Sequence, residues 1–196
     1  MAHDKYANCM PNDTRQSLIN SAELLLRSRG YAAFSYADLE KSVGIRKASI
    51  HHHFPTKEDL GVVIVEIYIE RTKQDFEKIE AGFTKATDRL GAFANLFNAV
   101  IASGSLPLCG ALAAEMVVLP ERMQSLTRQY FEVHLQWLEK TIVAGVVSGE
   151  LSPDGDSRQK ACQILSLFEG ASFICWAIKG PSCLNQSVIN NIVGAK

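Results

Sequence analysis

The sequence predicts an all-α protein of about nine helices, with a three-helix head at the N-terminus and a larger helical body behind it. Apolar residues recur at spacings of three and four along nearly all of the 196 residues, and period-two alternation is rare. Cap and stop signals punctuate that pattern at intervals suited to helices of one to seven turns. There is no internal repeat and no linker rich in glycine, proline or serine.

Taken in order, Asp13 is expected to cap the first helix, with Gln16 as its capping-box partner. Leu18, Ala22 and Leu25 then share a face, and Gly30 supplies the positive φ that ends it. Ser35-x-x-Asp38 opens a short second helix holding Leu39 and Val43, and Gly44 interrupts it. A third runs from Lys47 to about His53 and places Ile50 and Phe54 four residues apart. Thr56-x-x-Asp59 caps a fourth, which reaches about residue 80. Leu90, Phe93, Phe97, Val100 and Ile101 trace a fifth, stopped by Gly104. Pro107 suits the first turn of a sixth, closed by Pro120. A seventh starts near Glu121, carries Met123, Leu126, Tyr130, Trp137 and Leu138, and stops at the turn Ser152-Pro153-Asp154-Gly155. Ala161, Leu165, Phe168, Ser172 and Cys175 line an eighth over about 157–178. Gly180-Pro181 precedes a ninth over about 182–193, marked by Val188 and Ile192.

Composition narrows the class. Apolar residues are 47% and charged residues 21%, which is ordinary for a folded domain and excludes disordered or collagen-like chains. A formal net charge of −1 excludes a polycation that coats nucleic acid indiscriminately. The first 60 residues nevertheless carry eight Lys and Arg against seven acids, and four of the five histidines. Cys9, Cys109, Cys162, Cys175 and Cys183 are odd in number and scattered, so they read as reduced thiols rather than a disulfide framework. The opening MAHDKYANCMP has no apolar core of a secretory signal. The longest apolar run, Val62–Ile69, is broken by Glu66 and too short for a bilayer. A cytoplasmic protein without membrane attachment is expected.

Residues 34–54 carry the chemistry. Two short helices meet at Val43-Gly44-Ile45-Arg46, where a steep corner needs a glycine and apolar flanks. Leu39, Val43, Ile45, Ile50 and Phe54 form a shared core. Arg46, Lys47, Ser49, His51, His52 and His53 are left on the outer surface of the second of these helices. Such donors reach phosphates and base edges in a major groove, so this is a helix-turn-helix with 47–53 as recognition helix. Glycine-cornered helix pairs that bind no DNA are common, and the wider sequence decides between the two. The three adjacent histidines do not make a metal site: neighbours on a helix point about 100° apart, and a shared ion needs spacing of three or four. No metal and no cofactor are expected. An imidazole beside phosphate would favour its protonated form.

Residues 13–60 resemble the DNA-binding domain of the TetR/AcrR family of bacterial transcriptional regulators. The resemblance rests on Arg29-Gly30-Tyr31, Phe34-Ser35, Leu39, Val43-Gly44-Ile45, Lys47-Ala48-Ser49-Ile50 and His53-Phe54-Pro55-Thr56-Lys57-Glu58-Asp59-Leu60, about a quarter of the chain. It implies that Ser35 and Tyr36 face backbone or a base edge, and that Lys47, Ala48 and Ser49 approach bases. His51, His52 and His53 would straddle groove and phosphates, and Lys57 would hold a phosphate beside the free N–H groups of the fourth helix. The family commonly has tyrosine at the position of His51.

The resemblance also implies an effector cavity in the body. Polar groups inside apolar stripes mark it: Cys109, Glu115, His134 and Ser172, with Phe97, Met116, Phe131 and Trp137. Glu115 stands out, since an unpaired carboxylate in Ala113-Ala114-Glu115-Met116 is costly to bury. Cys109, near a helix N-terminus, is a candidate redox or electrophile sensor, the alternative being an inert core thiol. The last two helices would form a homodimer through Ala161, Leu165, Phe168, Val188 and Ile192, with Ala171 and Ala177 allowing close approach. The expected organisation is a flexible N-terminus over 1–12, a DNA-binding domain over 13–60 and an effector and dimerisation domain over 61–196. The expected function is a ligand-responsive repressor that binds a pseudo-palindromic double-stranded operator as a dimer and is released by a small molecule. Alternatives are a cysteine-based sensor on the same fold, or a small helical enzyme using Cys109 or Glu115 with His134. The latter has no nucleophile motif or cofactor loop to support it.

Overall fold

A computed structural model describes residues 11–182 and 184–195, with side chains from residue 14 onward. The expectations for residues 1–10, Cys9 and Cys183 lie outside the described residues. Nine α-helices and one 3₁₀ turn account for most of what is described: α1 (Pro11–Ala33), α2 (Tyr36–Val43), α3 (Lys47–His53), α4 (Lys57–Gly82), α5 (Ala86–Ala102), α6 (Leu108–Ala113), the 3₁₀ turn Met116–Val118, α7 (Glu121–Val147), α8 (Ser157–Ile178) and α9 (Gln186–Val193).

Two start signals act as their residue types suggest. At α2, Ser35 and Asp38 form a reciprocal capping box, and at α4 Thr56 and Asp59 do the same. The start of α1 needs correction. The helix begins at Pro11, a residue suited to the first turn, so Asp13 lies inside it. Gly30 takes the expected positive φ of 82°, but helix resumes for three further residues to Ala33. The sixth helix is also shorter than expected. It ends at Ala113, and the chain reaches Pro120 through the 3₁₀ turn.

The head is α1–α3. Leu18, Ile19, Ala22 and Leu26 of α1 pack against Leu39, Ile50 and Phe54, all buried. That core does not stop at the head. It continues through Leu60, Ile64 and Ile69 of α4 into Leu108 and Leu112 of α6 and Met123 and Tyr130 of α7. A second core, rich in rings, fills the body with Phe76, Phe93, Phe97, Trp137 and Phe168, joined by Leu138, Ile164 and Ile189. Helix α4 therefore belongs to both cores.

Helix α8 revises two expectations. It is the described helix long and apolar enough, by length and composition, to cross a membrane, which Val62–Ile69 is not. In this fold it packs against α5, α7 and α9. Its two apolar stripes explain both its hydropathy and the second correction. Ala161, Leu165 and Phe168 are buried inside the protomer, as is Ala171, so they cannot meet a partner. The outward stripe is Leu167, Ile174 and Ile178, with Gly170 and Ala177 between them. On α9, Val188 and Ile192 are half-buried.

Candidate nucleic-acid interface and effector cavity

The corner between α2 and α3 is fixed by backbone and by one reaching carboxylate. Gly44 sits at φ 76°, ψ 26°, in the left-handed region, and its N–H donates to the Glu40 carbonyl at 3.0 Å. Glu40 Oε1 also accepts from the Lys47 N–H at 3.3 Å, satisfying one of the unpaired donors at the start of α3. Beneath α3, Ile50 is fully buried and Phe54 closes its end. Arg46, Lys47, Ala48, His51 and His52 are exposed above, with Ser49 and His53 half-buried. Among the described residues neither Arg46 nor Lys47 enters an ion pair.

Tyr36 is a correction. Its ring is buried, its hydroxyl donates to the Phe54 carbonyl at 2.8 Å, and burial pushes its pKa up to about 12. It clamps the end of α3 to the start of α2 instead of presenting a donor outward. His51 lies on that ring at 4.9 Å and donates its Nδ1–H to the Pro55 carbonyl at 3.0 Å, so its Nε2 edge remains available. Ser35 is occupied as the cap of α2, with its hydroxyl donating to Asp38 at 2.7 Å. Those bonds, and then Arg29 at 3.1 Å, hold the Asp38 carboxyl below its ordinary range. Lys57 stands at the first turn of α4 with Nζ 4.3 Å from the Tyr31 ring and 4.5 Å from the Phe34 ring. Partial burial lowers its pKa.

In the body, a cavity of about 280 Å³ opens between α4, α5 and α7. Tyr68, Arg71, Thr72, Asp75 and Phe76 form the α4 wall, Leu96, Phe97, Ala99 and Val100 the α5 wall, Tyr130 and His134 the α7 wall, and Pro107 the end. Of the residues expected there, Phe97 and His134 line it. His134 is buried among Phe76, Phe93, Phe97 and Tyr130, and its Nδ1 hydrogen goes to the Tyr130 carbonyl at 3.1 Å. Burial lowers its pKa to about 4, so the ring is neutral at pH 7 with Nε2 as an acceptor.

The other expected lining residues are elsewhere. Glu115 bonds the head: its Oε2 accepts from the Ala32 N–H at 3.0 Å, and its carboxylate occupies the space a Cβ at Gly30 would need. Met116 and Phe131 pack on the cores, and Trp137 stacks on the far side of Phe76 at 4.4 Å. Ser172 turns its hydroxyl back to the Phe168 carbonyl. It borders a different hollow, of about 710 Å³, between the ends of α5 and α8. Cys109 is fully buried, and burial raises its thiol pKa well above the ordinary value, the opposite of an activated thiolate.

Sequence reasoning missed the whole α4 wall and also Glu169. Both carboxylate oxygens of Glu169 are buried without a hydrogen-bond partner among the described residues, close against Gly110, and burial raises its pKa to about 7. The available signal was an acid flanking the apolar stripe of a long helix apolar enough to cross a membrane.

A helix-turn-helix with a bare cationic outer face, carried on a helical body with a half-open cavity, defines a DNA-binding transcriptional regulator. The model of bacterial regulatory proteins of the tetR family matches residues 18–61. The HTH-type transcriptional repressor NemR of Escherichia coli K12 is 27% identical over 165 residues, covering 82% of this chain and 83% of that protein. The HTH-type transcriptional regulator CymR of Pseudomonas putida is 28% identical over 138 residues, 68% of each. A TetR-family regulator from Agrobacterium tumefaciens superposes with a TM-score of 0.84 at 29% identity, covering 94% of this chain and 96% of that one. Residues 18–61 thus match the tetR family of bacterial regulatory proteins, and over most of its length the chain is similar in sequence and fold to TetR-family regulators.

Proposed function

We propose that the protein is a cytoplasmic homodimeric repressor, which binds a pseudo-palindromic operator and leaves it when a small molecule enters the α4–α5–α7 cavity. The observation that carries the DNA-binding half is the outer face of α3, where the charged groups of Arg46 and Lys47 enter no ion pair among the described residues and stand above a sealed apolar underside. On this reading Arg46, Lys47, Ala48 and Ser49 meet base edges. The Nε2 edge of His51, with His52, His53, Ser35 and Lys57, meets the backbone, and Tyr36 acts only by positioning α3. We place the DNA-binding unit at about 13–60 and the effector and dimer unit at 61–196, with α4 shared. The dimer forms through the outward stripe of α8 together with α9, which brings two α3 helices to successive major grooves.

The buried state of Cys109 and its raised thiol pKa argue against that thiol as the sensor. The test is binding of the purified protein to a fragment from upstream of its own gene, against a scrambled duplex at matched salt. Specific binding should exceed non-specific by at least about a thousandfold. Equal affinity for the two would overturn the reading.

A further inference from the structure

The cavity and the first helix of the head share an ion pair. Arg71 lines the cavity from α4, and its Nη1 reaches Glu23 of α1 at 2.9 Å. Glu23 is largely buried and also lies 3.6 Å from Arg27. Arg27 in turn donates Nε–H to the carbonyl of Leu106 at 2.7 Å, next to cavity-lining Pro107. The α4 wall of the cavity is therefore tied directly to one carboxylate on α1, and the backbone at its end is linked to the same carboxylate through Arg27.

The same arginine is equipped to receive an acid. Among the described residues only one of its nitrogens is engaged, and a guanidinium offers five N–H donors in a planar fork that matches a carboxylate. The other ionised group in the wall, Asp75, is held by Lys78 at 2.8 Å. Behind Arg71 the surface is apolar and aromatic, with Phe76, Phe97 and Tyr130, in a volume suited to a single substituted ring. His134, its Nδ1 turned back on its own helix, offers a neutral acceptor for a ring hydroxyl.

We propose that the cavity takes a small aromatic carboxylate, whose acid group Arg71 receives in exchange for Glu23, releasing α1 from α4. This rests on the cavity being the effector site. The exchange gives the ligand a reason to act as a switch. It binds better when Glu23 has let go, and the DNA-bound head requires Glu23 docked, so each state opposes the other.

The test is calorimetric titration of the full chain with benzoate and with its uncharged isostere benzamide, alongside affinity for the upstream DNA fragment. Benzoate is expected to bind at least tenfold more tightly than benzamide. Arg71→Gln should erase that preference, and Arg71→Lys should keep part of it. Glu23→Gln should tighten benzoate binding severalfold and weaken DNA binding in the absence of ligand. Equal binding of both probes, unchanged by Arg71→Gln, would leave the cavity a ligand site and overturn its acid preference. If benzoate binds through Arg71 while Glu23→Gln alters neither affinity, the exchange is overturned. If neither probe binds, the assignment fails together with the reading of the cavity beneath it.

Discussion

The outer face of α3 and the wall of the cavity are both polar surfaces on an apolar base, and they differ in how their polar groups are employed. On α3 the charged groups of Arg46 and Lys47 are free of ion pairs among the described residues, while backbone needs are met from below by Glu40 and Tyr36. In the cavity nearly every polar group already has a bond: Arg71 to Glu23, Thr72 to the Tyr68 carbonyl, Asp75 to Lys78, and His134 to the Tyr130 carbonyl. A surface with idle donors takes a large anionic partner without rearranging, as duplex DNA requires. A ligand acid that takes the Arg71 fork away from Glu23 makes the protein surrender an internal bond. That surrender is the differential contact on which any change of state depends.

Separating the two heads should have the largest effect, because it leaves the cavity intact while disabling the DNA face. Ile174→Arg places a cation in the outward stripe of α8, where the side chain is 59% exposed in the protomer. Fold and cavity should survive while the dimer does not. Losing the second head removes the bivalent advantage, so operator affinity should fall by at least about a hundredfold. Light scattering should report a monomer. By contrast, Leu165→Glu should unfold the body, since Leu165 lies in its core. A dimeric Ile174→Arg with full affinity would move the interface to another face.

The next largest effect belongs to Glu169. Its pKa is raised from an ordinary 4.5 to about 7 by burial, so the native state holds the proton more tightly than the unfolded chain. Such a group contributes stability that is fully present below pH 4.5 and lost as pH rises through 7. His134 has the opposite sign. Its lowered value of about 4 means stability is lost as pH falls from 6.5 towards 4. Each shift corresponds to on the order of 3 kcal/mol between its limits. Thermal unfolding should therefore show Glu169→Gln stabilised over the parent at about pH 8, with the two curves meeting near pH 4.5. Coincident curves at the alkaline end would mean that the carboxylate finds water or a partner.

The two regions were unequally legible in the sequence, for a physical reason. The head is specified locally: Ser35 with Asp38, Thr56 with Asp59, and Gly44 at a positive φ each act within four residues, and all three do what their types suggest. The body is specified by contacts between distant segments. Periodicity showed that α8 is apolar, but it carries two apolar stripes, and spacing alone does not say which one its neighbours cover. The cost of burying Glu115 rightly marked it as unusual, but its bond to Ala32 spans 83 residues of sequence. The Arg71–Glu23 pair, 48 residues apart, left no local trace at all.

On the DNA side, Lys47→Ala distinguishes base recognition from anchoring. Lys47 is exposed at the start of α3, and if it reads a base its loss should cost roughly 1–3 kcal/mol at one operator position and relax the preference there. A competition assay across single-base operator variants measures this. A uniform loss over all variants would make Lys47 a phosphate anchor instead.

The smallest effect is expected at Lys57, where the ammonium already rests on two rings. Its place over Tyr31 and Phe34 fixes the charge beside the first turn of α4, a position from which it can meet a phosphate without a search through rotamers. Lys57→Ala should then weaken binding to every duplex alike by a few-fold, and lower the slope of log affinity against log salt by about one unit for each phosphate no longer neutralised. The substitution also takes the ammonium off the rings, an interaction worth about 0.5–1 kcal/mol of folding stability at a partly exposed site. Lys57→Met separates the two contributions. It keeps the stem against Tyr31 and Phe34 without the charge, so it should retain most of the stability yet show the same reduced salt slope as alanine. A parental slope in Lys57→Met, measured by anisotropy between about 50 and about 200 mM salt, would confine Lys57 to holding α1 against α4.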